Sequence, residues 1–313
     1  MPSTTSFERM ELNQKVAIVS GGARGIGLAI VEDLVAHGAN VVIVDPGVSI
    51  AGEPLEPSAA KDVAAKIQNS AAVCGDIAEP AVAQEAVALA QERFGGIDII
   101  VNNAAIIRDA FIFKSDGAAW DAVLRVNLTG AQRLLAAATP VMREQAKAGR
   151  APGAIINMVS TAGIYGNFGQ AAYAAAKAGL IGLTRVVAHD LARSRIRCNA
   201  VAPFAATRVT QSIKPANEAQ AAYKAKALHV PASYVARFVS FLASERAAHI
   251  SGQLFGVRGR EVFVFSQPRP AQRLLQPQGG FDLAALAQAT RALEPHFAEL
   301  VTDIEAFAGE PIL

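Results

Sequence analysis

A tyrosine, a lysine and a serine have the residue types and the spacing to move a proton on or off a substrate oxygen. Tyr173 and Lys177 are four residues apart in the run Tyr-Ala-Ala-Ala-Lys, and in a helix this spacing places both side chains on one face. Ser160 precedes Tyr173 by 13 residues, at the end of a predicted strand. Taken alone, the four-residue spacing of Tyr173 and Lys177 is more typical of an exposed tyrosine–lysine pair on an alanine-rich helix than of a catalytic pair.

The chemistry that suits this trio is the interconversion of a secondary alcohol and a ketone. A hydride joins or leaves carbon while a proton joins or leaves oxygen, so a general acid/base is needed. The pKa of a free tyrosine is about 10, and an ammonium about 4 Å away would lower it to roughly 7–9. We therefore predict Tyr173 as the general acid/base, Lys177 as the group that lowers its pKa, and Ser160 as the residue that holds the substrate oxygen.

A glycine-rich segment near the amino terminus has the form of a phosphate-binding loop. Residues 20–27 read Ser-Gly-Gly-Ala-Arg-Gly-Ile-Gly and connect an apolar run to a segment with helical periodicity. Glycine permits the close backbone approach that a pyrophosphate needs, and a helix amino terminus presents free N–H groups to it. An ordinary glycine-rich turn is the alternative. The residues predicted to bind a dinucleotide here are Gly21, Arg24, Gly25, Ile26 and Gly27.

The acid that ends the next apolar run indicates which dinucleotide would bind. Asp45 follows Gly27 by 18 residues, and a carboxylate there can accept hydrogen bonds from the ribose hydroxyls of NAD while repelling the 2′-phosphate of NADP. Arg24 argues the other way, because an arginine in the loop could reach that phosphate. A turn-capping aspartate before Pro46 is a further alternative. We predict NAD as the cofactor and disfavour NADP.

The elements that must position these residues alternate along the chain. Apolar runs at 15–20, 40–44, 71–75, 99–102, 154–159 and 195–201 alternate with segments of helical periodicity. This pattern predicts an α/β fold with a Rossmann-type doubly wound parallel sheet of about seven strands, in a single domain with a C-terminal helical tail. We place the domain at 12–266, and a linker and helical arm at 267–313.

The composition excludes several classes of protein. The 313 residues carry 29 Lys and Arg against 27 Asp and Glu, a net charge of +2, which provides no electrostatic footprint for nucleic acid. The two cysteines and five histidines are scattered, so we predict neither disulfides nor a metal site. The amino terminus is polar and the sequence has no uninterrupted apolar run of 18 residues. We therefore expect a small-molecule substrate, no membrane partner and a cytoplasmic location.

Six segments together resemble the short-chain dehydrogenase/reductases. They stand in that family's order and spacing over about residues 12–265, and they read SGGARGIG (20–27), CGDI (74–77), VNNAA (101–105), RVNLTG (125–130), INMVS (156–160) and YAAAK (173–177). The resemblance implies an enzyme that acts on CH–OH donors with a nicotinamide dinucleotide.

The resemblance also implies further cofactor contacts. Asp76 and Ile77 would contact the adenine ring, and Asn103 and Ala104 would line the cofactor's ribose. Lys177 would bind the hydroxyls of the nicotinamide ribose in addition to its effect on the tyrosine.

Asn127 would complete the catalytic set, because the resemblance implies that it holds a water relaying protons to Lys177. Two positions depart from the family's pattern. Ala105 and Phe204 stand where glycine is usual, and Phe204 puts in doubt the usual contact of its loop with the nicotinamide amide.

Three segments are similar to the (3R)-hydroxyacyl-CoA dehydrogenase domain of multifunctional β-oxidation enzymes, the branch that includes a 17β-hydroxysteroid dehydrogenase. They are NNAAIIRD (102–109), GIYGNFGQAAY (163–173) and APFAATRVT (202–210). This similarity implies that the chain interconverts a 3-hydroxyacyl-CoA and a 3-oxoacyl-CoA with NAD. A hydroxysteroid dehydrogenase or another secondary-alcohol dehydrogenase remains open, as does a catalytically silent NAD-binding sensor or scaffold.

Candidate substrate residues flank the catalytic helix. They are Tyr165, Asn167, Gln170 and Phe204; packing within a loop is the alternative for the first three. Three lysines could meet CoA phosphates or simply face solvent, namely Lys214, Lys224 and Lys226.

The quaternary structure is predicted from the resemblance alone. Family members are usually dimers or tetramers, which implies a homodimer or homotetramer formed through the long helices predicted at 118–148 and 171–193. The tail at 281–308 is expected to be an arm that stabilises the oligomer or covers the pocket.

Overall fold

An eight-stranded sheet forms the centre of the structure, a computed structural model that describes residues 11–206, 210–211, 215, 218–276 and 278–307. The strands are β1 (Val16–Ser20), β2 (Asn40–Val44), β3 (Ser70–Val73), β4 (Ile99–Asn102), β5 (Ala154–Met158), β6 (Arg197–Phe204), β7 (Leu254–Arg258) and β8 (Glu261–Val264). Their order is β3-β2-β1-β4-β5-β6-β7-β8. The first seven are parallel, and β8 returns antiparallel to β7. The predicted doubly wound parallel sheet is confirmed, with an antiparallel hairpin added at one edge.

Helices cover both faces of the sheet. They are α1 (Gly25–Ala36), α2 (Ala59–Ala64), α3 (Pro80–Phe94), α4 (Gly117–Leu124), α5 (Gly130–Lys147), α6 (Ala162–Tyr165), α7 (Ala171–Asp190), α8 (Glu218–Ala227), α9 (Ser233–Ala243), α10 (Leu283–Ala289) and α11 (Asp303–Ala306). Side chains of α1 and α9 pack into one core cluster, and those of α3, α5 and α7 into the cores on the opposite face. The layered α/β architecture therefore matches the alternating pattern in the sequence.

The two cores follow from the alternation of side chains along the buried strands. In β1, Val16 and Ile18 face the core beneath α3 and α5, while Ala17 and Val19 face the core beneath α1 and α9. All four are fully buried. Because successive strand residues point to opposite faces, a sheet that is covered on both sides needs such continuous apolar runs.

The long helix predicted over 118–148 is interrupted. A π-helical turn over Arg125–Thr129 separates α4 from α5. It contains Asn127, whose side chain is buried. Single π turns within helices often mark functional positions, and this one lies beside the catalytic helix.

The C-terminal tail holds short helices rather than one long arm. After α10 come two 3₁₀ turns, at Thr290–Ala292 and Glu294–His296. Proline in the second turn cannot continue an α-helix, and Phe297 is extended. The chain then reaches α11, which returns to the domain. The apolar periodicity of 281–307 therefore overstated the length of helix.

Among the residues that the structure describes, one helix is long and apolar enough to cross a membrane, judged by length and composition alone. It is α7. Its face that carries Ala176 and Leu180 is buried in the domain, and the helix contacts β5 and β6. In this fold α7 is therefore a core helix.

Candidate active site

The glycine loop between β1 and α1 is shaped by close backbone approaches. Gly21 has φ +65°, and a Cβ at this position would lie 2.8 Å from the Cα of Ala104. A Cβ at Gly27 would overlap the carbonyl oxygen of Gly21. Asn103 pins the loop, because its Nδ2 donates to the carbonyl oxygens of Ser20 at 3.1 Å and Gly21 at 2.9 Å. Only glycine fits these two positions, and the space in front of α1 stays open for a pyrophosphate.

Asp45 lies at the end of β2 with its carboxylate held by backbone N–H groups. Oδ2 accepts from the amide of Ala23 at 3.1 Å, and Oδ1 accepts from the amide of Gly47 at 2.8 Å. The residue is 8% exposed. Each carboxylate oxygen has a second lone pair, so the group can still accept hydrogen bonds from ribose hydroxyls.

Arg24, the basic residue of the loop, is already paired. Its guanidinium donates to Glu56 at 2.6 Å and to the carbonyl oxygen of Val48 at 3.1 Å. The charge that could have received a 2′-phosphate is therefore balanced by Glu56, across the loop that follows β2.

Ser160, Tyr173 and Lys177 meet at the carboxyl edge of the sheet, as their spacing predicts. Ser160 lies two residues beyond β5, Tyr173 is in the first turn of α7, and both line the same cavity as Lys177. Lys177 is 3% exposed. Its Nζ donates to the carbonyl oxygen of Met158 at 2.8 Å and lies 5.6 Å from the centroid of the Tyr173 ring.

Burial dominates the pKa values of Tyr173 and Lys177. Burial raises the pKa of Tyr173 to about 12; the hydrogen bond with Ser160 opposes the rise, and the charges of Asp303 and Asp109 add to it. Burial also lowers the pKa of Lys177 to about 8. Desolvation of the phenolate dominates the pKa of Tyr173 in this structure, and the lowering of that pKa by Lys177 stays a prediction.

Asn127 has a structural partner for each end of its amide. Oδ1 accepts from the amide of Ile106 at 2.8 Å, and Nδ2 donates to the carbonyl oxygen of the same residue at 2.9 Å. The side chain thereby fixes the segment after β4 against the π turn. Each end of the amide keeps one further hydrogen-bonding position, and the relay water stays a prediction.

One cavity of about 410 Å³ joins the loop, the acid and the trio. The predicted residues that line it are Gly21, Arg24, Gly25, Ile26, Gly27, Asp45, Asn103, Ala104, Ser160, Tyr173, Lys177 and Phe204. The predicted residues that do not are Asp76, Ile77, Asn127, Tyr165, Asn167 and Gln170. The sheet topology thus places the cofactor-loop and catalytic residues around one space.

The two residues predicted to meet adenine are engaged elsewhere. The carboxylate of Asp76 accepts from Arg125 and from the amide of Ala78. Ile77 is buried and packs near Gly130. Their contact with adenine stays a prediction.

The loop before α7 is held by its own polar contacts. Gln170 donates to Asp109 at 3.1 Å, and Asn167 accepts from the amide of Phe168 at 2.9 Å. The geometry agrees with loop packing for both. Among the three lysines, Lys214 lies outside the described residues, and Lys224 donates to the carbonyl oxygen of Gln211 at 2.7 Å.

Four of the cavity-lining residues that were not predicted from the sequence carry polar or charged chemistry or come from the C-terminal tail. Two come from the far end of the chain, Asp303 and Ile304, and two from elsewhere in the domain, Tyr223 and Arg258. The tail reaches the cavity because Phe307 packs on Phe204, with ring centroids 4.9 Å apart. Phe204 was the sequence signal for this contact, because a large aromatic side chain in place of glycine needs another side chain to pack against.

Comparisons with known proteins show which family the chain belongs to. The sequence profile described as short chain dehydrogenase matches residues 15–220. The hydroxyacyl-CoA dehydrogenase ChsB1 of Mycobacterium tuberculosis is 37% identical over 303 residues, 95% of this chain and 92% of that protein. The 3-oxoacyl-[acyl-carrier-protein] reductase FabG of Salmonella typhimurium is 35% identical over 258 residues, 82% of this chain and 100% of that protein.

A solved structure shares the fold. The crystal structure of a short chain dehydrogenase from Mycobacterium avium has a TM-score of 0.78 and 31% sequence identity, and it covers 93% of this chain and 98% of its own. The family profile spans more than half of this chain, and the two relatives are each more than 30% identical over more than two thirds of it. The chain therefore belongs to the short-chain dehydrogenase/reductases and is an oxidoreductase that acts on CH–OH donors.

Proposed function

We propose that this protein interconverts a 3-hydroxyacyl-CoA and a 3-oxoacyl-CoA with NAD as the hydride carrier. The observation that carries the proposal is the single cavity in which Ser160, Tyr173 and Lys177 face the glycine loop and Asp45. Such a cavity lets one ligand present a carbon to a dinucleotide while its oxygen meets an acid/base.

The residues of the loop fit a dinucleotide. Gly21 and Gly27 let the loop fold tightly against Asn103 and Ala104, where any Cβ would collide, and the first residues of α1 line the cavity. When bound, the dinucleotide would supply the hydride that the ketone carbon gains in reduction and would accept it in oxidation. Asp45 would hold the adenosine ribose, and Glu56 keeps Arg24 from offering an unbalanced charge to a 2′-phosphate. These contacts favour NAD over NADP.

The catalytic trio would divide the proton chemistry. In the reductive direction the O–H bond of Tyr173 breaks and its proton passes to the ketone oxygen, which becomes the alcohol; oxidation reverses that transfer. Ser160 donates a hydrogen bond to the same oxygen as charge develops there. Lys177 supplies a positive charge beside the phenolate that forms, and it would bind the nicotinamide ribose.

Two features support an acyl-CoA over other secondary alcohols. The alignment with the hydroxyacyl-CoA dehydrogenase covers 95% of this chain, so it runs well into the residues after 266. Those residues contribute Asp303 and Ile304 to the cavity. A 3-oxoacyl group on acyl carrier protein is the second candidate, because the FabG relative matches over its whole length. A hydroxysteroid lacks such a specific supporting observation.

We also propose a homodimer or homotetramer in the cytoplasm. The outward face of α7 exposes Val186, which is 55% accessible, and an apolar side chain there suits a subunit interface. Cys74 and Cys198 are both free, which is compatible with a reducing compartment.

The test of the proposed function is the oxidation of NADH by the purified protein, followed by absorbance, with a medium-chain 3-oxoacyl-CoA as substrate. Parallel reactions use NADPH, and the same acyl group on acyl carrier protein. Rapid turnover with NADH and the CoA thioester is the expected result. Turnover of the carrier-protein substrate alone would favour the second candidate, and absence of turnover with every pair would overturn the proposal.

A further inference from the structure

The end of the chain forms part of the cavity wall. Thr302 caps α11 and makes a reciprocal capping box with Glu305. The amide of Asp303 donates to the carbonyl oxygen of Gly166 at 3.0 Å. Phe307 then packs its ring 4.9 Å from that of Phe204. The segment 302–307 is thus attached at both ends, and it carries Asp303 to the cavity.

Asp303 presents an unused acceptor at this wall. Its Oδ2 accepts from the hydroxyl of Thr161 at 3.1 Å. Its Oδ1 is buried and has no hydrogen-bond partner among the residues that the structure describes. A buried acceptor without a donor is costly, so a ligand in the cavity that donates an N–H or O–H group to the Asp303 carboxylate would gain from the contact.

The carboxylate of Asp303 is desolvated, and the arginine on the same cavity wall is engaged elsewhere. Arg258 also lines the cavity, but its guanidinium pairs with Glu261 at 2.8 Å and donates to the carbonyl oxygen of Phe307 at 3.3 Å. Burial raises the pKa of Asp303; the Thr161 hydroxyl and two neighbouring backbone N–H groups oppose that rise. Desolvation thus penalises the charged form, and an N–H donor in the ligand would offset part of the penalty.

We propose that Asp303 positions the substrate by accepting a hydrogen bond from the amide N–H nearest the sulfur of a pantetheine thioester. Thr161, which anchors Asp303, directly follows Ser160, so the carboxylate lies beside the reacting oxygen's site. In a 3-oxoacyl thioester this amide follows the reacting carbon by only a few bonds. The inference rests on the proposed function, and it applies to coenzyme A and acyl carrier protein alike because both carry the same arm.

The test compares two thioesters that differ in that amide. Acetoacetyl-N-acetylcysteamine has it, and S-ethyl acetothioacetate does not. We expect KM of the wild-type protein to be about tenfold lower for the first, the usual size of a hydrogen bond to a charged group. Asp303→Ala should remove this preference. The ratio between the two substrates cancels any effect of the Asp303 charge on Tyr173, because both substrates undergo the same chemistry.

Two variants separate positioning from a structural role. Asp303→Asn loses the charge but keeps an oxygen acceptor, so it should retain part of the preference. Glu299→Ala removes an exposed acid from the same tail and should leave the ratio unchanged. NADH binding, measured by fluorescence, should be equal in all four proteins.

The outcomes distinguish this inference from the proposed function. Turnover of both thioesters by the wild-type protein with equal KM would overturn the role of Asp303 while leaving the function standing, even if a variant failed to fold. An unchanged preference in Asp303→Ala would do the same. If the wild-type protein binds NADH yet turns over neither thioester, acetoacetyl-CoA nor acetoacetyl-acyl carrier protein, the proposed function falls and this inference with it. Turnover of acetoacetyl-CoA alone, or of acetoacetyl-acyl carrier protein alone, would identify which carrier supplies the pantetheine group.

Discussion

The ammonium of Lys177 lies 5.6 Å from the centre of the Tyr173 ring while it donates a 2.8 Å hydrogen bond to the carbonyl oxygen of Met158. The lysine is therefore held over the face of the phenol by the end of β5. Its buried position favours the neutral amine, and the buried phenol stays protonated. Four predictions follow from this and from the neighbouring contacts.

The first prediction concerns the hydroxyl of Tyr173. Tyr173→Phe should lower kcat by about 10²–10⁴-fold, the usual contribution of a general acid/base. NADH binding should be nearly unchanged, because the ring remains. The measurements are steady-state turnover and fluorescence titration with NADH. Tyr234→Phe on α9, which packs in the opposite core, is the matched control. Substantial activity in Tyr173→Phe would show that the proton comes from elsewhere.

The second prediction concerns pH. Because burial lowers the pKa of Lys177 to about 8, the ammonium is present below that pH and is lost above it. Reduction needs this charge beside the developing phenolate, so kcat/KM, which reports the free enzyme, should fall as pH rises through about 8. Lys177→Arg keeps its charge at all accessible pH values, so any activity that it retains should lack this fall. A wild-type profile that is flat from neutral pH to well above 8 would contradict the assignment.

The third prediction concerns cofactor choice. Asp45→Asn weakens the acceptor for ribose hydroxyls and removes the charge that repels a 2′-phosphate. KM for NADH should rise about tenfold, and the ratio of kcat/KM for NADH to that for NADPH should fall. Glu56→Gln frees Arg24 from its ion pair and should lower the same ratio through better use of NADPH. Steady-state kinetics with both cofactors measures each change. If the ratio does not move in either variant, other residues select the cofactor.

The fourth prediction concerns Phe204, the aromatic ring on which Phe307 of the tail packs. Phe204→Gly removes the ring against which Phe307 packs. Loss of this half-buried aromatic contact should lower the free energy of opening of segment 302–307 by about 1–3 kcal/mol. Hydrogen exchange of the backbone over 302–307 should become faster, while exchange in β1 stays slow. Equal protection of 302–307 in both proteins would mean that the hydrogen bonds of Asp303 hold the segment without Phe204.

The sequence predicts the catalytic trio and the glycine loop because their positions depend on local order. In a parallel α/β sheet, the end of every strand reaches the same edge. Ser160 after β5 and Tyr173 in the first turn of α7 therefore have to meet near the loop after β1. Their chain order and the helical spacing of Lys177 suffice for this inference.

The parts that could not be predicted depend on distant contacts. The bond between Thr161 and Asp303 joins residues that are 142 positions apart, and the sequence between them gives no periodic signal for that pairing. The pKa of Tyr173 depends on how completely the surroundings exclude water, which spacing does not reveal. Asn167 and Gln170 have residue types suited to a substrate, yet they bond within their own loop.

The position of segment 302–307 separates the residues proposed for substrate recognition from those proposed for cofactor recognition along the chain. Every residue that we assign to the cofactor, from Gly21 to Lys177, precedes β6. Asp303 and Ile304, which form part of the cavity wall, lie in the last stretch of the described chain. With the proposed role of Asp303, exchange of that stretch between relatives would change which alcohol binds and leave the cofactor contacts intact. Selection can then act on substrate choice and on cofactor binding in separate segments of one gene.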